Sequence, residues 1–481
     1  MSDLHYISAT EALRLFSARE LSPVELMEAV IERAEAVEPT VNALCHTFFD
    51  EALDQAKAAE ARYNGRGEPP RALEGIPLAV KEEEAVAGQP WTQGSLIYRD
   101  LVAERTSTFV RRALDAGAII HARTTAPEFS CAGFTHSRIW GITRNPWNPE
   151  YAVGGSSGGS GAALAAGTAV LASGSDIGGS IRIPASFNGV VGFKPPYGRV
   201  PQAPPFNLDT YCHCGPMART VADCALYQNV VAGPDPADIV SLRPKVEVPA
   251  EPGPIAGTRI ALSLDLGDWA VDAEVRENAQ AVGDALRDCG AIVDEVDLVV
   301  PRADVVRASA IHFQLGFGAW IAGEVARHPD AVTAYAAAFP DGMARDAAGG
   351  TLLEKHELEA RIYAPVGALL ERYDALVCPT VGTRGLVAGD DYVDHGIEVD
   401  GQELPHYFEA MLTPVFNVMS RCPVLAVPSG RASNGVPTGV QIVARTYEDE
   451  TAFRVGAALE GVCPWLDEPE RRPALADEVL E

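Results

Sequence analysis

The sequence has no run of 18 apolar residues, which excludes a conventional transmembrane helix. Its first 20 residues carry neither a basic flank nor a continuous apolar stretch, so they predict neither a signal peptide nor a membrane anchor. The 9 cysteines lack a short framework spacing, and an odd number scattered over a long chain favours reduced thiols over disulfides. We therefore expect a cytoplasmic protein without membrane contact.

Positive charge is also scarce, because 38 lysines and arginines stand against 66 acidic residues and give a net charge of −28. Nucleic acid and anionic lipid surfaces would be repelled by such a chain. None of the 10 histidines lies in a recognisable motif, so a Ser-His-Asp triad has no support. The run 212–214, Cys-His-Cys, lacks the second ligand pair of a zinc site and is better explained as core. We expect no metal and no cofactor.

What the sequence does contain is material for a large core. Hydrophobic residues make up 47% of its 481 residues and charged residues 22%, which is typical of a folded globular chain. We interpret 1–481 as a single domain with a helical N-terminal region (1–70), a central core (71–235) and a remainder that completes the sheet and the pocket (236–481). The proline-rich segment 246–257 is interpreted as a surface connection within that domain.

Helical and strand patterns alternate along the chain. Ser22, Pro23 and Glu25 form a capping box with proline at the first helical position, which predicts a helix start. An apolar run at 75–80 predicts a buried strand that ends at Lys81, and 161–172 is apolar all round, which predicts a buried helix. Further predicted strands lie at 118–123, 258–264, 291–299, 374–379, 423–428 and 439–444, and further helices at 107–116 and 272–288. The alternation predicts an α/β fold around one mixed sheet.

Glycine and serine are concentrated in two segments, 154–161 and 174–180, on either side of the predicted buried helix. The first lacks the lysine of a phosphate-binding loop. It also satisfies G-x-S-x-G, but a nucleophile elbow must follow a strand, whereas the turn sequence NPWNP precedes it here. Loops of this composition occur where backbone comes close to another group. We therefore interpret the pair of loops as parts of one site, held at a fixed separation by the helix between them.

Longer motifs around these loops resemble the amidase signature family. Residues 140–195 read WGITRNPWNPEYAVGGSSGGSGAALAAGTAVLASGSDIGGSIRIPASFNGVVGFKP, which is similar to that signature almost throughout. The segments GIPLAVK (75–81) with the later Gly88, GPMARTV (215–221) and PTGVQIVA (437–444) match further parts of the family pattern. The resemblance covers most of the chain. It implies the amidase-signature fold, with helices covering both faces of one large mixed sheet.

Carried over to this sequence, the resemblance implies three catalytic residues. Ser180 takes the position of the nucleophile, Ser156 that of a bridging serine held in a cis peptide, and Lys81 that of the general base. The backbone N–H groups of Ile177, Gly178, Gly179 and Ser180 would form the oxyanion hole.

Physical chemistry supports these roles. A serine hydroxyl is a weak nucleophile without a neighbouring base. Lysine is a base only when neutral, and burial at the end of an apolar strand disfavours its charged form. Glu82, Glu83 and Glu84 follow Lys81 directly, and a carboxylate close to the ammonium would favour the charged form instead.

Neighbouring residues are assigned supporting roles. Ser157 is either a hydrogen-bond donor or a turn former, and Asp176 and Arg182 are expected to brace the nucleophile loop as an ion pair. We expect Phe129, Ser130 and Cys131 to line the substrate pocket. Aromatic residues in the variable regions suit an apolar or aryl substrate and equally suit core packing; they are Phe206, Tyr211, Phe313, Phe317 and Trp320.

The leading hypothesis is an amidohydrolase that cleaves the C–N bond of a small or medium apolar carboxylic amide through a Ser180 acyl-enzyme. An aryl amide, a urethane and a nylon-like oligomer all suit that chemistry. One alternative is the A-type subunit of a tRNA-dependent amidotransferase, which the acidic charge and residues 208–214 disfavour. Another is a ligand-binding relative without activity, which the intact Lys81, Ser156 and Ser180 argue against. The expected partner is a small amide, and a homodimer is compatible with the sequence.

Overall fold

A computed structural model describes residues 3–475. The α-helices within that range are, in chain order, α1 (Ala9–Ala18), α2 (Pro23–Val41), α3 (Phe49–Tyr63), α4 (Thr108–Asp115), α5 (Gly158–Ala166), α6 (Arg182–Asn188), α7 (Val221–Val231), α8 (Ala273–Asp288), α9 (Arg302–Leu315), α10 (Phe317–Arg327), α11 (Ala334–Asp346), α12 (Leu352–Leu370), α13 (Pro414–Val418) and α14 (Asp449–Val462). None of these described helices is long and apolar enough to cross a membrane.

The strands of the same range are β1 (Leu44–Thr47), β2 (Pro77–Lys81), β3 (Ile119–Thr124), β4 (His136–Ser137), β5 (Gly141–Ile142), β6 (Leu171–Asp176), β7 (Val191–Lys194), β8 (His213–Ala218), β9 (Arg259–Leu262), β10 (Ile292–Glu295), β11 (Ala375–Pro379), β12 (Ile397–Val399), β13 (Gln402–Leu404), β14 (Val424–Arg431) and β15 (Pro437–Ala444). Eleven of them form one sheet in the order β1-β3-β2-β6-β8-β7-β14-β15-β11-β9-β10.

This sheet is mixed, as the sequence predicts. β2 pairs in parallel with β3 and β6, and β9 pairs in parallel with β10 and β11. The strands between these two groups, from β8 to β15, pair antiparallel with their neighbours. An α/β fold with one large mixed sheet is therefore confirmed.

Alternate residues of single strands show that both faces of the sheet are covered. Ile260 and Leu262 of β9 belong to a hydrophobic cluster that includes residues of α8. Ala261, between them, belongs to a different cluster that includes Val305 of α9 and Leu358 of α12. Because successive side chains of a strand point to opposite faces, helices pack on the two sides of the same strand.

Several predicted elements are confirmed with small shifts of their ends. The capping box is present: Ser22 Oγ accepts a hydrogen bond from Val24 N at 3.0 Å, and Glu25 Oε2 accepts one from Ser22 N at 2.8 Å. Helices α4 and α8 and strands β2, β3, β11, β14 and β15 lie where the patterns predict them. The predicted strands at 258–264 and 291–299 are shorter, and the N-terminal region contains β1 besides its helices.

The predicted helix over 161–172 is wrong in its second half. The helix is α5, which ends at Ala166 and is capped by Gly167 in the left-handed conformation with φ of 80°. Leu171 already belongs to β6, where it pairs with Leu78 of β2 and Ala218 of β8. Both elements are completely buried, so the apolar pattern continues across their junction, and periodicity alone does not separate a buried helix from a buried strand.

The segment 246–257 contains no helix or strand and is largely exposed, as expected of a surface connection. The interpretation of the whole chain as one domain stays a prediction.

Candidate active site

The ends of two parallel strands bring the predicted residues together. Lys81 is the last residue of β2 and Asp176 the last residue of β6. Because β2 and β6 are parallel neighbours, their carboxyl ends lie at the same edge of the sheet. The loop that precedes α5 reaches this edge as well, through the hydrogen bonds described next.

Lys81 is completely buried at the centre of a polar cluster. Its Nζ donates to Ser156 Oγ at 2.7 Å and to Ser175 Oγ at 2.8 Å, and it lies 2.5 Å from Glu83 Oε2. Its backbone N–H donates to Ser173 Oγ at 2.8 Å. The position of the side-chain amine is thus determined by three partners on three different segments.

Ser156 follows a cis peptide bond, Gly155–Ser156, as the family resemblance implies. A Cβ at Gly155 would overlap the Phe134 carbonyl oxygen, so the approach of these two segments requires glycine. The next residue, Ser157, joins the loops: its N–H donates to Ser180 O at 3.1 Å, and its Oγ donates to Ser175 O at 3.3 Å. Ser157 therefore acts as a hydrogen-bond donor between the two glycine-rich segments.

Ser180 lies in the turn between β6 and α6 and lines a cavity. Its hydroxyl forms no hydrogen bond to any other group of residues 3–475, and 8% of the residue remains exposed. The hydroxyl is therefore available to a molecule in the cavity, and the contact with Ser157 connects its backbone to the Ser156 loop.

The turn before Ser180 differs from the expectation at one residue. Gly179 N donates to Asp176 Oδ1 at 2.9 Å, so this N–H is already used within the protein. The N–H groups of Ile177, Gly178 and Ser180 have no acceptor within the described part of the chain. Three of the four expected oxyanion donors are therefore unpaired, and the fourth shapes the turn instead.

Gly179 is also the residue that the turn geometry constrains most. Its φ is +124°, and a Cβ there would overlap Thr413 Oγ1. The same hydroxyl donates to Gly178 O at 2.8 Å. Thr413, which immediately precedes α13, therefore holds the turn from the opposite side, and no other residue type fits at Gly179 without displacing it.

Asp176 and Arg182 form the expected ion pair, with both side chains fully buried. Arg182 Nε donates to Asp176 Oδ2 at 3.0 Å and Nη2 donates to Oδ1 at 2.9 Å. Burial would raise the pKa of the Asp176 carboxyl, but the Arg182 charge and its hydrogen bonds hold that pKa well below its usual range. The remaining guanidinium donors reach Thr413 O, Asn417 Oδ1 and Gln441 Oε1.

The three glutamates after Lys81 have different surroundings. Glu82 accepts from Trp140 Nε1 at 2.9 Å and from Thr92 Oγ1, and burial, partly opposed by these bonds, raises its pKa to about 7. Glu84 accepts from Cys214 Sγ at 3.2 Å, and burial raises its pKa. Glu83 is the one whose carboxylate contacts the Lys81 amine.

A cavity of about 330 Å³ opens beside Ser180, a volume within the range of small-molecule sites. Its wall is formed by Ile177, Gly178, Ser130 and Cys131 together with aromatic side chains from distant segments, which are Phe313, Phe317, Tyr335, Phe339, Tyr407 and Phe408. The cavity is thus aromatic beside the turn that carries Ser180, and its wall also includes charged side chains, which are Asp341, Arg345, Asp346, Asp391 and Glu409.

Phe129 does not line this cavity, contrary to the expectation. Its backbone is left-handed with φ of 54°, and its ring packs edge-on against Tyr98 and Trp320, with centroids 6.2 and 5.2 Å away. It is 1% exposed. The reversal of the backbone turns the ring into the core and leaves Ser130 and Cys131 at the cavity wall.

Some residues of the site carried no signal in the sequence. Thr413 and Asn417 lie more than 200 positions from Asp176, and neither belongs to a motif. His213 is buried between the carbonyl oxygens of Asp176 and Ser420, and burial lowers its pKa to about 3. Residues 3–475 hold no group of three or more His, Cys, Asp or Glu side chains suited to a metal ion.

Replacing Arg182 by methionine leaves Asp176 buried without its charge partner, and we expect a loss of about 3–5 kcal/mol in the free energy of unfolding. Arg14→Met is the matched control, because Arg14 makes the same two-pronged contact to Glu11 on the surface, where solvent screening leaves such a pair with little effect on stability. Urea denaturation measures both. Equal losses in the two variants would contradict the structural role of the buried pair.

Comparison with known proteins shows the family of the chain. A family model described as Amidase matches residues 25–453. The chain is 33% identical over 505 residues to the A subunit of the glutamyl-tRNA(Gln) amidotransferase of Chloroflexus aurantiacus, covering 97% of this chain and 98% of that protein. It is 33% identical over 492 residues to an acylamidase of Rhodococcus erythropolis, covering 98% of each.

Among solved structures, a bacterial aryl acylamidase of the amidase signature family aligns with a TM-score of 0.87 and 28% identity, over 96% of this chain and 97% of that one. The likeness therefore extends over nearly the whole of both chains, in sequence as well as in fold. The chain belongs to the amidase family and is an enzyme of the amidohydrolase class.

Proposed function

We propose that the protein hydrolyses a carboxylic amide through an acyl-enzyme on Ser180, with Ser156 and Lys81 as its proton relay. The observation that carries this proposal is the 2.7 Å hydrogen bond from Lys81 Nζ to Ser156 Oγ. It joins a completely buried amine to a loop that Ser157 ties to Ser180. No hydrogen bond joins the Ser156 and Ser180 hydroxyls among residues 3–475, so the proposal requires this contact to form when the amide binds, as catalytic hydrogen bonds often do.

In the first stage, Ser180 Oγ attacks the carbonyl carbon of the amide. The hydroxyl proton passes to Ser156 Oγ while the proton of Ser156 passes to Lys81 Nζ, which must be neutral at that moment. The N–H groups of Ile177, Gly178 and Ser180 receive the oxygen that becomes negative. Donors of this kind are among the largest contributions to acyl transfer, because they are already oriented before the charge develops.

Collapse of the tetrahedral intermediate breaks the C–N bond. The proton held by Lys81 returns through Ser156 to the leaving nitrogen, and the amine departs. Water then attacks the acyl-enzyme by the same relay, releases the carboxylic acid and regenerates the Ser180 hydroxyl.

The cavity points to an apolar acyl or leaving group. Aromatic rings from α9, α10, α11 and the segment before α13 surround the space next to Ser180, and planar apolar groups pack well against such walls. The similarity to an aryl acylamidase and to an acylamidase agrees with an aryl or medium-length amide as the substrate. A urethane or a nylon-like oligomer would use the same Ser180 chemistry.

A second candidate is the A-type subunit of a tRNA-dependent amidotransferase, which the 33% identity to such a protein favours. The net charge of −28 opposes contact with tRNA.

Ser180→Ala is expected to abolish both amide hydrolysis and labelling by a fluorophosphonate, since both need the Ser180 hydroxyl. Mass spectrometry locates the label. Ser309→Ala serves as the control, because Ser309 lines the same cavity without contacting the relay, and it should still be labelled at Ser180. A label that survives Ser180→Ala would contradict the assignment.

Lys81→Ala should remove turnover while circular dichroism still shows a folded chain.

Gly179→Ala is expected to lower kcat about 10²–10³-fold, the loss typical of a missing oxyanion donor, because the new Cβ displaces the turn that presents the three N–H groups. Steady-state kinetics with one amide measure this. Gly349→Ala provides the comparison, since Gly349 also has positive φ but has nothing within 4 Å of the place where its Cβ would lie. A similar loss in both variants would indicate general backbone strain rather than a disturbed oxyanion hole.

A substrate screen separates the two candidate functions. The isolated chain is expected to hydrolyse anilides and medium-length apolar amides with kcat/KM at least about tenfold above glutamine, the factor that one extra buried methylene can supply. Liquid chromatography of the released amines measures it. Glutaminase activity that appears only with added partner subunits would favour the amidotransferase instead.

A further inference from the structure

Glu83 is the charged partner of Lys81, and the relay described above gives it no role. Among residues 3–475 it supplies the one carboxylate that forms an ion pair with Lys81, with Oε2 only 2.5 Å from Nζ. It lies two residues beyond the end of β2, in the turn that leads away from the site. Its side chain is 29% exposed, whereas that of Lys81 is completely buried.

The same Oε2 atom of Glu83 accepts two further hydrogen bonds. Ser175 Oγ donates to Oε2 at 2.7 Å and Ser130 Oγ donates to it at 3.0 Å. Ser175 in turn accepts from Lys81, and Ser130 lines the substrate cavity. Burial would raise the pKa of Glu83, but the Lys81 charge and these hydrogen bonds keep it below the ordinary value. A continuous chain of polar contacts therefore runs from the cavity wall to the base.

Other ionisable groups surround this pair without bonding to Lys81 Nζ. The charge of Asp176 at the end of β6 is compensated by Arg182. Arg123 of β3 donates to the carbonyl oxygens of Lys81 and Glu84. Burial raises the pKa of Glu84. It also holds the pKa of two thiols well above the ordinary value, those of Cys214 in β8 and of Cys212 just before it.

We propose that Glu83 is a positioning residue that sets the pH at which the Lys81 relay becomes active. The inference rests on the proposed function, in which Lys81 must be neutral to accept a proton. A carboxylate at 2.5 Å stabilises the ammonium and holds Nζ beside Ser156 Oγ. Activation then requires one N–H bond of the ammonium to break, with the proton leaving for solvent and the Glu83 carboxylate remaining charged.

The test is the pH dependence of kcat/KM, which reports ionisations of the free enzyme. Wild type should gain activity as pH rises and Lys81 loses its proton. In Glu83→Gln the side chain keeps its volume and its acceptor for Ser130 and Ser175 but loses its charge. The acid limb should then move to lower pH by about 1–3 units, the usual effect of removing an opposite charge at this distance. A limb that stays in place would overturn the proposal.

Glu82→Gln is the matched control, one residue away. Because burial raises the pKa of Glu82 to about 7, it is the competing source of a limb near neutrality, yet its carboxyl bonds to Thr92 and Trp140 rather than to Lys81. Its limb should remain at the wild-type position. A limb that moves in Glu82→Gln and not in Glu83→Gln would assign the effect to Glu82 and overturn the proposal.

Ser130→Ala gives a second test that keeps Glu83 itself. Without the Ser130 donor, the carboxylate is less compensated and stabilises the Lys81 ammonium more, so the limb should move to higher pH, opposite to Glu83→Gln. If Glu83→Gln fails to fold, an unchanged limb in Ser130→Ala overturns the proposal by itself.

Fluorophosphonate labelling across pH separates this inference from the function on which it rests. Wild type that is labelled at Ser180 and hydrolyses amides, with unchanged limbs in Glu83→Gln and Ser130→Ala, would remove the inference alone. Wild type that is neither labelled nor active at any pH would remove the proposed function and the inference together.

Discussion

The buried pair of Asp176 and Arg182 determines the shape of the site. Asp176 ends β6 and uses both carboxylate oxygens, on the Arg182 guanidinium and on the N–H groups of Gly179 and Ile181. These contacts bend the chain tightly just before α6 and place Ser180 at the bend. Two ions without solvent are costly unless every donor and acceptor is satisfied, so the pair depends on its neighbours as much as they depend on it.

Those neighbours come from the C-terminal part of the chain, between residues 413 and 441. Arg182 donates to Thr413 O and to the side chains of Asn417 and Gln441, which belong to the α13 region and to β15. The turn that carries Ser180 is therefore completed only when residues separated by more than 200 positions have come together. Contacts from outside this glycine-rich segment therefore restrict the conformations that its backbone can adopt.

The sequence predicts the part of the site that is local in the chain. Lys81, Ser156 and Ser180 each lie in a motif of a few residues, and the geometry brings Lys81 and Ser156 into contact as expected. Contacts between distant segments leave no such pattern, so the sequence does not indicate Thr413. The boundary between α5 and β6 was misplaced because both elements are buried on all sides, which removes the alternation that distinguishes them.

The three glutamates after Lys81 show that local sequence also fails to predict which charges come into contact. Glu82, Glu83 and Glu84 are indistinguishable as sequence neighbours of Lys81, yet their carboxyls reach three different environments. The backbone path of the turn after β2 determines which of the three carboxylates contacts the Lys81 ammonium. How strongly a carboxylate raises the proton affinity of a neighbouring amine depends on distances of a few ångströms, and these are set by the turn rather than by composition.

Charge is distributed so that the interior of the site is close to neutral although the chain carries −28. Lys81 is matched by Glu83, and Arg182 is matched by Asp176. The cavity wall also carries Asp341 and Asp391, which form no ion pair within the described part of the chain, so this pairing of charge is confined to the buried end of the site. In the proposed reaction the oxyanion would develop where Ile177, Gly178 and Ser180 have N–H groups with no other acceptor in the described chain. In surroundings of low polarity such donors interact strongly with a developing negative charge. Asp176 binds the N–H groups of Gly179 and Ile181, so the turn presents its three unpaired donors to the transition state.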